Sequence, residues 1–397
     1  MSGPTESPIR RFPLDHAPGL EPLPELAELR RHAPVVRVSL PGGAPAWLVT
    51  RYADVRQVLA GPCFSRALAS RGKSPGSPRA TALPDSILAT DPPDHSRLRR
   101  LIAPALTARR AEAMRRDVAR TVRTLLGALD RRPAPVDLVT RFTRPLPLTV
   151  ICDLLGTDRM DADRLDVWDD TLRSRTAVNA EVTAAVEDMA TYLKGLISAK
   201  RAHPADDMLS LLIAARDTDD DRLSEGELVS FCVVLLLGGY GTTANRLAGM
   251  VHLLLARPER YALLRDEPAR VPAAVEELLR YAQAAMGANL RVATEDVTLS
   301  GVTIGAGEAV VALMASANHD EDTFPRPDLL DLTREAPAHL SFGHGVHFCA
   351  GAQLARVQLQ EALTGLTRHF PRLRAAGPAA WKDDRLSRAP RVLPVRW

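Results

Sequence analysis

The stretch FGHGVHFCAG, Phe342–Gly351, places three glycines and two histidines around a single cysteine. The glycines stand at positions 343, 345 and 351, and such residues allow the backbone to pass close to something flat or bulky. Cys349 has no second cysteine nearby. From these residues alone, Cys349 is a metal ligand, a nucleophile with His347 as its base, or a buried structural residue.

An iron-bound thiolate would need glycines beside it, N–H groups pointing at the sulfur, and a helix that starts just after it. The sequence predicts that helix, because small or apolar residues recur at helical spacing after Gly351. They are Ala355, Leu359, Ala362, Leu363 and Leu366.

FGHGVHFCAG resembles the haem-binding loop of cytochrome P-450, whose pattern is FGxGxHxCxG. All six fixed positions are filled, by Phe342, Gly343, Gly345, His347, Cys349 and Gly351. The resemblance implies haem b (iron protoporphyrin IX) as cofactor, Cys349 as its iron ligand, and haem contacts from Phe342, Gly343, His347 and Gly351. It also implies a mainly α fold with a minor antiparallel β part, a triangular single globule with the haem between the I and L helices.

Further matches lie outside this loop. Glu277 and Arg280 are three residues apart, on one helix face. The resemblance makes them a buried structural clamp completed by Arg334. His95 and Arg99 are four apart and share another helix face. In the family such a helix contacts the haem propionates, and the resemblance adds Arg291 and His347 to that set.

Composition narrows the function class. The chain has 397 residues and a net charge of +3, too weak a charge to indicate nucleic acid binding. The four cysteines are far apart, which excludes zinc ribbons and CxxC redox pairs. No apolar signal segment opens the chain, and the longest apolar run, 228–239, is too short to cross a membrane. We therefore expect a cytoplasmic protein. The resemblance implies a monomer that forms one haem domain over residues 1–397, with an irregular segment at 1–20.

Along the chain, VVRVSL and AWLVT predict strands around a PGGAP turn, and RYADVRQVLA predicts a helix. A long loop is expected from Arg66 to Pro93, as a lid or as plain surface. Asp91 is expected to cap a helix that follows it. Helical periodicity then dominates to about Arg265, and DVTLSGVTIGAGE predicts a hairpin.

GGYGTT, Gly238–Thr243, interrupts a long apolar helix, and each glycine costs a helix about 1 kcal/mol against alanine. In the family this place is the I helix over the haem, where an acid followed by threonine handles dioxygen. Thr242 matches the threonine, with Thr243 after it, but Gly241 replaces the acid. Water in the glycine gap, Tyr240 or the substrate could carry the protons instead, or the enzyme couples radicals without inserting oxygen.

The resemblance implies an oxidoreductase that hydroxylates or epoxidises a small organic molecule, a substrate expected in natural-product biosynthesis. The alternatives are oxidative radical coupling or rearrangement, and a non-catalytic haem sensor. No GxGxxG motif for flavin or nicotinamide is present, so electrons from NAD(P)H should arrive through an external ferredoxin and reductase. Four helical arginines form a docking surface for ferredoxin or a solvated face: Arg109, Arg110, Arg115 and Arg116.

The regions that line the substrate pocket in the family fall on the long loop, the glycine-interrupted helix and the segment before Arg291. The residues expected there are Leu83, Ile87, Leu88, Leu237, Gly238, Met286 and Asn289. Loop cations either meet an acidic substrate or face water; they are Arg66, Arg71, Lys73 and Arg79.

Overall fold

The computed structural model describes residues 10–14, 19–40, 43–71, 86–157, 160, 162–174, 178–218, 223–282, 289–335, 338–382 and 388–397. Its α-helices, α1 to α16 in chain order, are Pro24–His32, Tyr52–Ala60, Arg66–Ser70, Asp94–Ile102, Ala108–Ala113, Arg115–Asp130, Pro145–Leu155, Ala162–Arg173, Asn179–Ala202, Met208–Thr218, Glu225–Gly239, Gly241–Leu255, Pro258–Asp266, Val271–Tyr281, Met314–Ala317 and Ala352–His369.

The strands, β1 to β13 in chain order, are Arg10–Arg11, Val35–Ser39, Pro45–Val49, Phe64–Ser65, Val136–Asp137, Asn289–Ala293, Val297–Leu299, Val302–Ile304, Ala309–Ala312, Arg374–Ala375, Ala380–Trp381, Pro390–Val392 and Pro394–Arg396. Short 3-10 turns include Ile87–Ala89 and Gly345–His347.

Six strands form the largest sheet, in the order β1-β2-β3-β9-β6-β4. β2 and β3 make the predicted hairpin, with Val35 opposite Val49, and β3 runs parallel to β9. β6 lies between β9 and β4, antiparallel to both, and carries Arg291. Leu48 packs in one hydrophobic cluster and its neighbour Val49 packs in another, so apolar strand residues are buried on both sides of the sheet.

Helices form the rest of the interior. α16 packs on α6, α13 and α14, and its Leu363 and Leu366 are fully buried. The small and apolar residues that recur at helical spacing after Gly351 therefore lie on the face of α16 that packs in the core. Because α16 starts directly after Gly351, the cysteine-bearing loop is held at the N-terminal end of a helix that is fixed in the core.

The long apolar helix has a break at Tyr240, where α11 ends and α12 begins. By length and composition Glu225–Leu255 could cross a membrane, but 61% of its most apolar part is buried inside the fold. Its apolar residues pack in two hydrophobic clusters, one around α7 to α10 and one around α6 and α16. Such burial is that of a core helix, and the helix passes through the centre of the molecule.

Two expectations about the segment after Arg66 need correction. The long loop contains α3 and the turn Ile87–Ala89, and its part at 72–85 lies outside the described residues. Asp91 does not cap α4 with its side chain. Its carboxylate instead accepts from the backbone N–H of Arg66 at 2.8 Å and of Ala67 at 3.3 Å, at the start of α3.

The structure brings Glu277, Arg280 and Arg334 together in the core. Arg280 donates to both carboxylate oxygens of Glu277, at 2.7 and 2.9 Å, and Arg334 donates to the same carboxylate at 3.2 Å. Arg280 also donates to the backbone carbonyls of Asn318 and Pro327, both at 2.8 Å. The cluster therefore joins α14 to the segment that leads toward the cysteine loop.

Removing the carboxylate from this cluster should destabilise the fold strongly. Glu277→Ala leaves Arg280, whose side chain is 0% exposed, as an uncompensated buried charge, a change that costs about 3–5 kcal/mol. Glu267 and Arg270 form a matched pair with the same spacing, 50% and 41% exposed, where Glu267→Ala should cost less than about 1 kcal/mol. Urea unfolding measures both values, and equal losses would contradict a clamp role for the buried cluster.

Candidate active site

The cysteine loop is a tight turn closed by its own backbone. The N–H of Cys349 donates to the carbonyl of Phe342 at 2.9 Å, and the N–H of Phe348 donates to Gly345 at 3.0 Å. Gly343 and Gly345 have φ values of 79° and 72°, in the left-handed region where glycine is favoured. The glycines thus allow a tight turn that brings the backbone of Cys349 beside that of Phe342.

Close packing explains one glycine of this loop. A Cβ on Gly345 would lie 2.7 Å from the Cα of Ala60 and 2.8 Å from the carbonyl of Leu59 in α2. Only glycine fits this contact between loop and helix. A Cβ on Gly351 would meet no described protein atom within 4 Å, so protein packing does not require glycine there.

The Cys349 thiol is partly enclosed by the fold. Protein atoms surround it on several sides, and this burial raises its pKa, while the Gly351 N–H and the charges of Arg99 and Arg356 act in the opposite direction. One side of the residue is nevertheless open to solvent. The enclosure of the thiol and the solvent exposure of the residue agree if the sulfur faces an open slot that is lined by N–H donors and cations. Such an environment suits a thiolate.

Two predicted residues from distant parts of the sequence meet beside this slot. The rings of His95, from α4, and His347, from the cysteine loop, lie 4.2 Å apart at their centroids. Burial, with the charges of Arg66, His95, Arg291 and Arg99, lowers the pKa of His347 to about 2, so that the ring is neutral at physiological pH. The Nδ1 atom of His95 is buried and has no hydrogen-bond partner among the described residues.

Positive charge accumulates at the same place. Arg291 is 1% exposed, and burial followed by the charge of Arg66 lowers its pKa to about 9. Its side chain donates to the backbone carbonyl of Leu290 at 3.1 Å. Neither Arg291 nor Arg99 forms an ion pair with a carboxylate in the described part of the chain. A buried arginine in this situation is strongly stabilised by an anionic ligand.

Sequence reasoning assigned Arg66 to the loop cations, but the structure places it in this cluster. Its guanidinium donates to the carbonyl of Leu88 and, at 3.4 Å, to the side chain of Asn289. Asp91 fixes the backbone of Arg66 at the start of α3. The hydrogen bonds from the Arg66 and Ala67 N–H groups to Asp91 span 25 and 24 residues, and the one from Arg66 to Asn289 spans 223. No local spacing could have revealed them.

The break between α11 and α12 opens one helix face. Gly238 and Thr242 are exposed while most of their neighbours on the helix are buried, and the Thr242 hydroxyl donates to the Gly238 carbonyl. Thr243 is 5% exposed and does not line this groove. The hydroxyl of the buried Tyr240 donates to Asp166 on α8.

The residues expected to line the substrate pocket differ in their exposure to solvent. Leu88 is 45% exposed, Gly238 is exposed, and Leu237 and Asn289 are half-buried. Ile87 is 8% exposed and packs in the hydrophobic core instead. Leu83 and Met286 lie outside the described residues, as do Lys73 and Arg79.

A sequence model of the cytochrome P450 family matches residues 22–374. The chain belongs to the cytochrome P450 family. Its relatives include nocardicin C N-oxygenase of Nocardia uniformis subsp. tsuyamanensis, 46% identical over 99% of this chain and 100% of the relative. Another is mycinamicin IV hydroxylase/epoxidase of Micromonospora griseorubida, 42% identical over 99% of this chain and 100% of the relative.

Solved structures confirm the predicted fold. The crystal structure of HinD with NMFT and NO matches with a TM-score of 0.92 at 44% identity, over 99% of this chain and 100% of that chain. The prediction of a bacterial cytochrome P450 monooxygenase is therefore confirmed, and relatives of this chain are named for antibiotics, nocardicin and mycinamicin. The family implies haem as the cofactor of this P450.

The residues at the site fit that cofactor. Haem carries two propionates. Among the described residues, Arg99 and Arg291 have no carboxylate partner and the Nδ1 atom of His95 has no hydrogen-bond partner, and all three belong to one cluster. The Cys349 thiol lies beside this cluster and is open to solvent on one side. Donors, cations and thiol thus match the charge pattern of an iron porphyrin.

Haem retention tests the propionate cluster. Arg291→Met removes a buried charge and keeps most of the side-chain volume, so the P450 should still fold. Because a hydrogen bond to a charged group contributes about 1.5–3 kcal/mol, haem transfer to apomyoglobin should become about 10-fold faster or more. Arg265→Ala, which removes an exposed arginine paired with Asp266 at 2.7 Å, is the control and should leave the transfer rate unchanged. Equal rates for the two variants would contradict the assignment of Arg291.

Proposed function

We propose that this P450 inserts one atom of dioxygen into a small organic molecule of a natural-product pathway, by hydroxylation, epoxidation or oxidation at nitrogen. The observation that carries the proposal is the exposed Thr242 hydroxyl in the groove of the central helix, in the place where the family keeps its threonine. The relatives named above as N-oxygenase and as hydroxylase/epoxidase support oxygen insertion.

Each polar residue of the site has a proposed task. Cys349 binds the iron of haem b, and His95, Arg99, Arg291 and His347 hold the propionates. Phe342, Gly343 and Gly351 shape the loop against the porphyrin. When bound, the haem supplies the iron centre at which dioxygen is reduced by two electrons and cleaved, and thiolate donation favours the cleavage. Two protons are consumed, and one oxygen atom leaves as water.

The proposed role of the Thr242 hydroxyl is to assist the delivery of protons. Its Oγ1 donates a hydrogen bond to the Gly238 carbonyl, so the hydroxyl proton is engaged and the oxygen lone pairs face the groove. These lone pairs can accept a hydrogen bond from a protonated oxygen group or from water in the groove. The residue thereby holds a proton near the reacting oxygen.

The substrate would enter between the turn Ile87–Ala89, the groove at Gly238 and the start of β6. The turn packs on α11 and α3, and α3 packs on β6, so these segments enclose one space. Leu88 and Leu237 give it apolar walls, and Asn289 with Arg66 gives it a polar edge. An amphipathic substrate that presents an oxygen or carboxylate to that edge fits the arrangement.

Electrons would come from NAD(P)H through an external ferredoxin and reductase. Arg110 lines a shallow cleft together with Ala350 and Gly351, directly beside Cys349. Arg109 and Arg116 are exposed, whereas Arg115 is already paired with Glu112 and Glu361, at 2.6 and 2.7 Å. We assign the docking surface to Arg109, Arg110 and Arg116, where the charge is available to an acidic partner.

The overall organisation completes the proposal. Residues 1–397 would form one haem domain that acts as a monomer in the cytoplasm, and the family match across 22–374 supports a single unit. Radical coupling without oxygen insertion, which Gly241 raised as an alternative, has no support from the names of the two relatives. A haem sensor would share the fold but would not consume electrons.

Two named compounds begin the test. Nocardicin C and mycinamicin IV are titrated into the purified P450, and a low-to-high-spin shift reports displacement of the iron-bound water. The compound with the larger shift is then incubated with NADPH, a surrogate ferredoxin and its reductase under isotopically labelled dioxygen. Oxygen insertion predicts a product that carries one labelled atom. A product without label would indicate coupling, and electron consumption that stays at the level of the enzyme-free control would indicate a sensor.

A further inference from the structure

Gly241, which replaces the family's acid, is covered by a carboxylate from another helix. A Cβ built on Gly241 would overlap the side chain of Asp169, on α8, and the three atoms nearest to that Cβ are the Cγ and the two carboxylate oxygens of Asp169. Asp169 is 2% exposed. The structure therefore has an acidic group at this point of the central helix, although residue 241 does not provide it.

Neighbouring contacts fix α8 in register with the break in the central helix. Asp166 lies one turn before Asp169, accepts from the Tyr240 hydroxyl and pairs with Arg144. Burial, the hydrogen bond to Asp166 and its charge raise the pKa of Tyr240, and the negative charge of Asp169 adds to this effect. Tyr240 is thus committed to Asp166, and Asp169 is the acidic group that lies directly against Gly241.

The two carboxylates form an acidic strip, Asp166 and Asp169, that runs from a partly exposed carboxylate to the buried side of Gly241. The side chain of Asp166 is 26% exposed, whereas Asp169 is buried against Gly241. Thr242, the next residue of the helix, opens into the groove. A proton can therefore enter at the accessible end of the strip and leave at the end beside the threonine.

We propose that Asp169 is the proton-relay residue of this P450, in the role that the family gives to the residue at position 241. The proposal rests on the proposed oxygen insertion. For each dioxygen, that reaction consumes two protons from solvent and two electrons from the ferredoxin. In this relay the Asp169 carboxylate takes up a proton and passes it through water to the oxygen group held at Thr242 Oγ1. The resulting carboxylate takes a proton back from solvent through the Asp166 end of the strip, so the residue is unchanged after each turnover.

The same contact gives a reason for the glycine. An aspartate or glutamate at position 241 would overlap the Asp169 side chain and would place two like charges together out of water, which is unfavourable. Position 241 can be acidic only if position 169 is not. The glycine at position 241 in GGYGTT therefore leaves room for the carboxylate of Asp169 in WDD, 72 residues earlier in the chain.

Unfolding measurements test the contact independently of activity. Gly241→Asp should lower the urea midpoint of the holoprotein, because its side chain collides with Asp169. Asp169→Ala combined with Gly241→Asp should recover the midpoint of Asp169→Ala alone, because the space is then free. Asp163→Ala, which removes an exposed carboxylate from the first turn of the same helix, should give no such recovery when it is combined with Gly241→Asp. A recovery that is equal in both double variants would overturn the assignment of the contact.

The relay is tested with dioxygen as the probe, so that no organic substrate need be known. NADPH oxidation is measured in H2O and in D2O, with the surrogate ferredoxin raised until the rate no longer depends on it. Because general acid catalysis contributes about 100-fold or more, Asp169→Ala should slow the reaction to a similar extent, raise the solvent isotope effect and change the pH profile. Asp169→Glu should retain most of the rate, the double variant with Gly241→Asp should regain part of it, and Asp163→Ala should match the wild type.

Failure of the relay and failure of the proposed function give different results. A wild-type rate and isotope effect in Asp169→Ala would overturn the relay alone. A slow Asp169→Ala that neither Asp169→Glu nor Gly241→Asp rescues would assign Asp169 a structural role and would also overturn the relay. Wild-type holoprotein that consumes no NADPH above the enzyme-free control would overturn the proposed function and the relay together.

Discussion

The site depends on one short turn, in which the N–H of Cys349 donates to the carbonyl of Phe342 at 2.9 Å just before α16 begins. This hydrogen bond and the two left-handed glycines fix the direction of the cysteine side chain. The turn is itself held by the close contact of Gly345 with α2 and by α16, whose apolar face is buried. A thiolate on such a support would keep its position when it binds a metal, and this rigidity would allow it to tune the metal.

Near Cys349 lie positively charged arginines, Arg99 and Arg291, that form no ion pair with a carboxylate in the part of the chain that the structure describes. Arg291 is buried on a central strand, and His95 has an orphaned ring nitrogen within the same cluster. These features cost stability in the polypeptide alone, because a buried charge without a partner is unfavourable. A dianionic cofactor reverses that cost. We therefore expect bound haem to stabilise the folded protein, with its two carboxylates at the positive cluster.

The family, the fold class and the enzyme class could be predicted from sequence because their signals are local. FGHGVHFCAG is ten consecutive residues, and Glu277 and Arg280 meet because helical geometry brings residues three apart together. The prediction that Asp91 caps α4 was wrong for the opposite reason. Its carboxylate binds N–H groups 24 and 25 residues earlier in the chain, which sequence spacing cannot indicate. The place of Arg66 beside Asn289 and of Asp169 against Gly241 likewise depends on packing between distant segments.

The most direct measurement of the central claim is the absorption spectrum of the reduced carbon-monoxide complex, compared between the wild-type protein and Cys349→Ser. A thiolate ligand predicts the strongly red-shifted Soret band for the wild type, and its complete loss in the variant even when haem remains bound. Cys63→Ser, which alters a partly buried cysteine elsewhere in the fold, should leave the band in place. A red-shifted band that persists in Cys349→Ser would contradict the account.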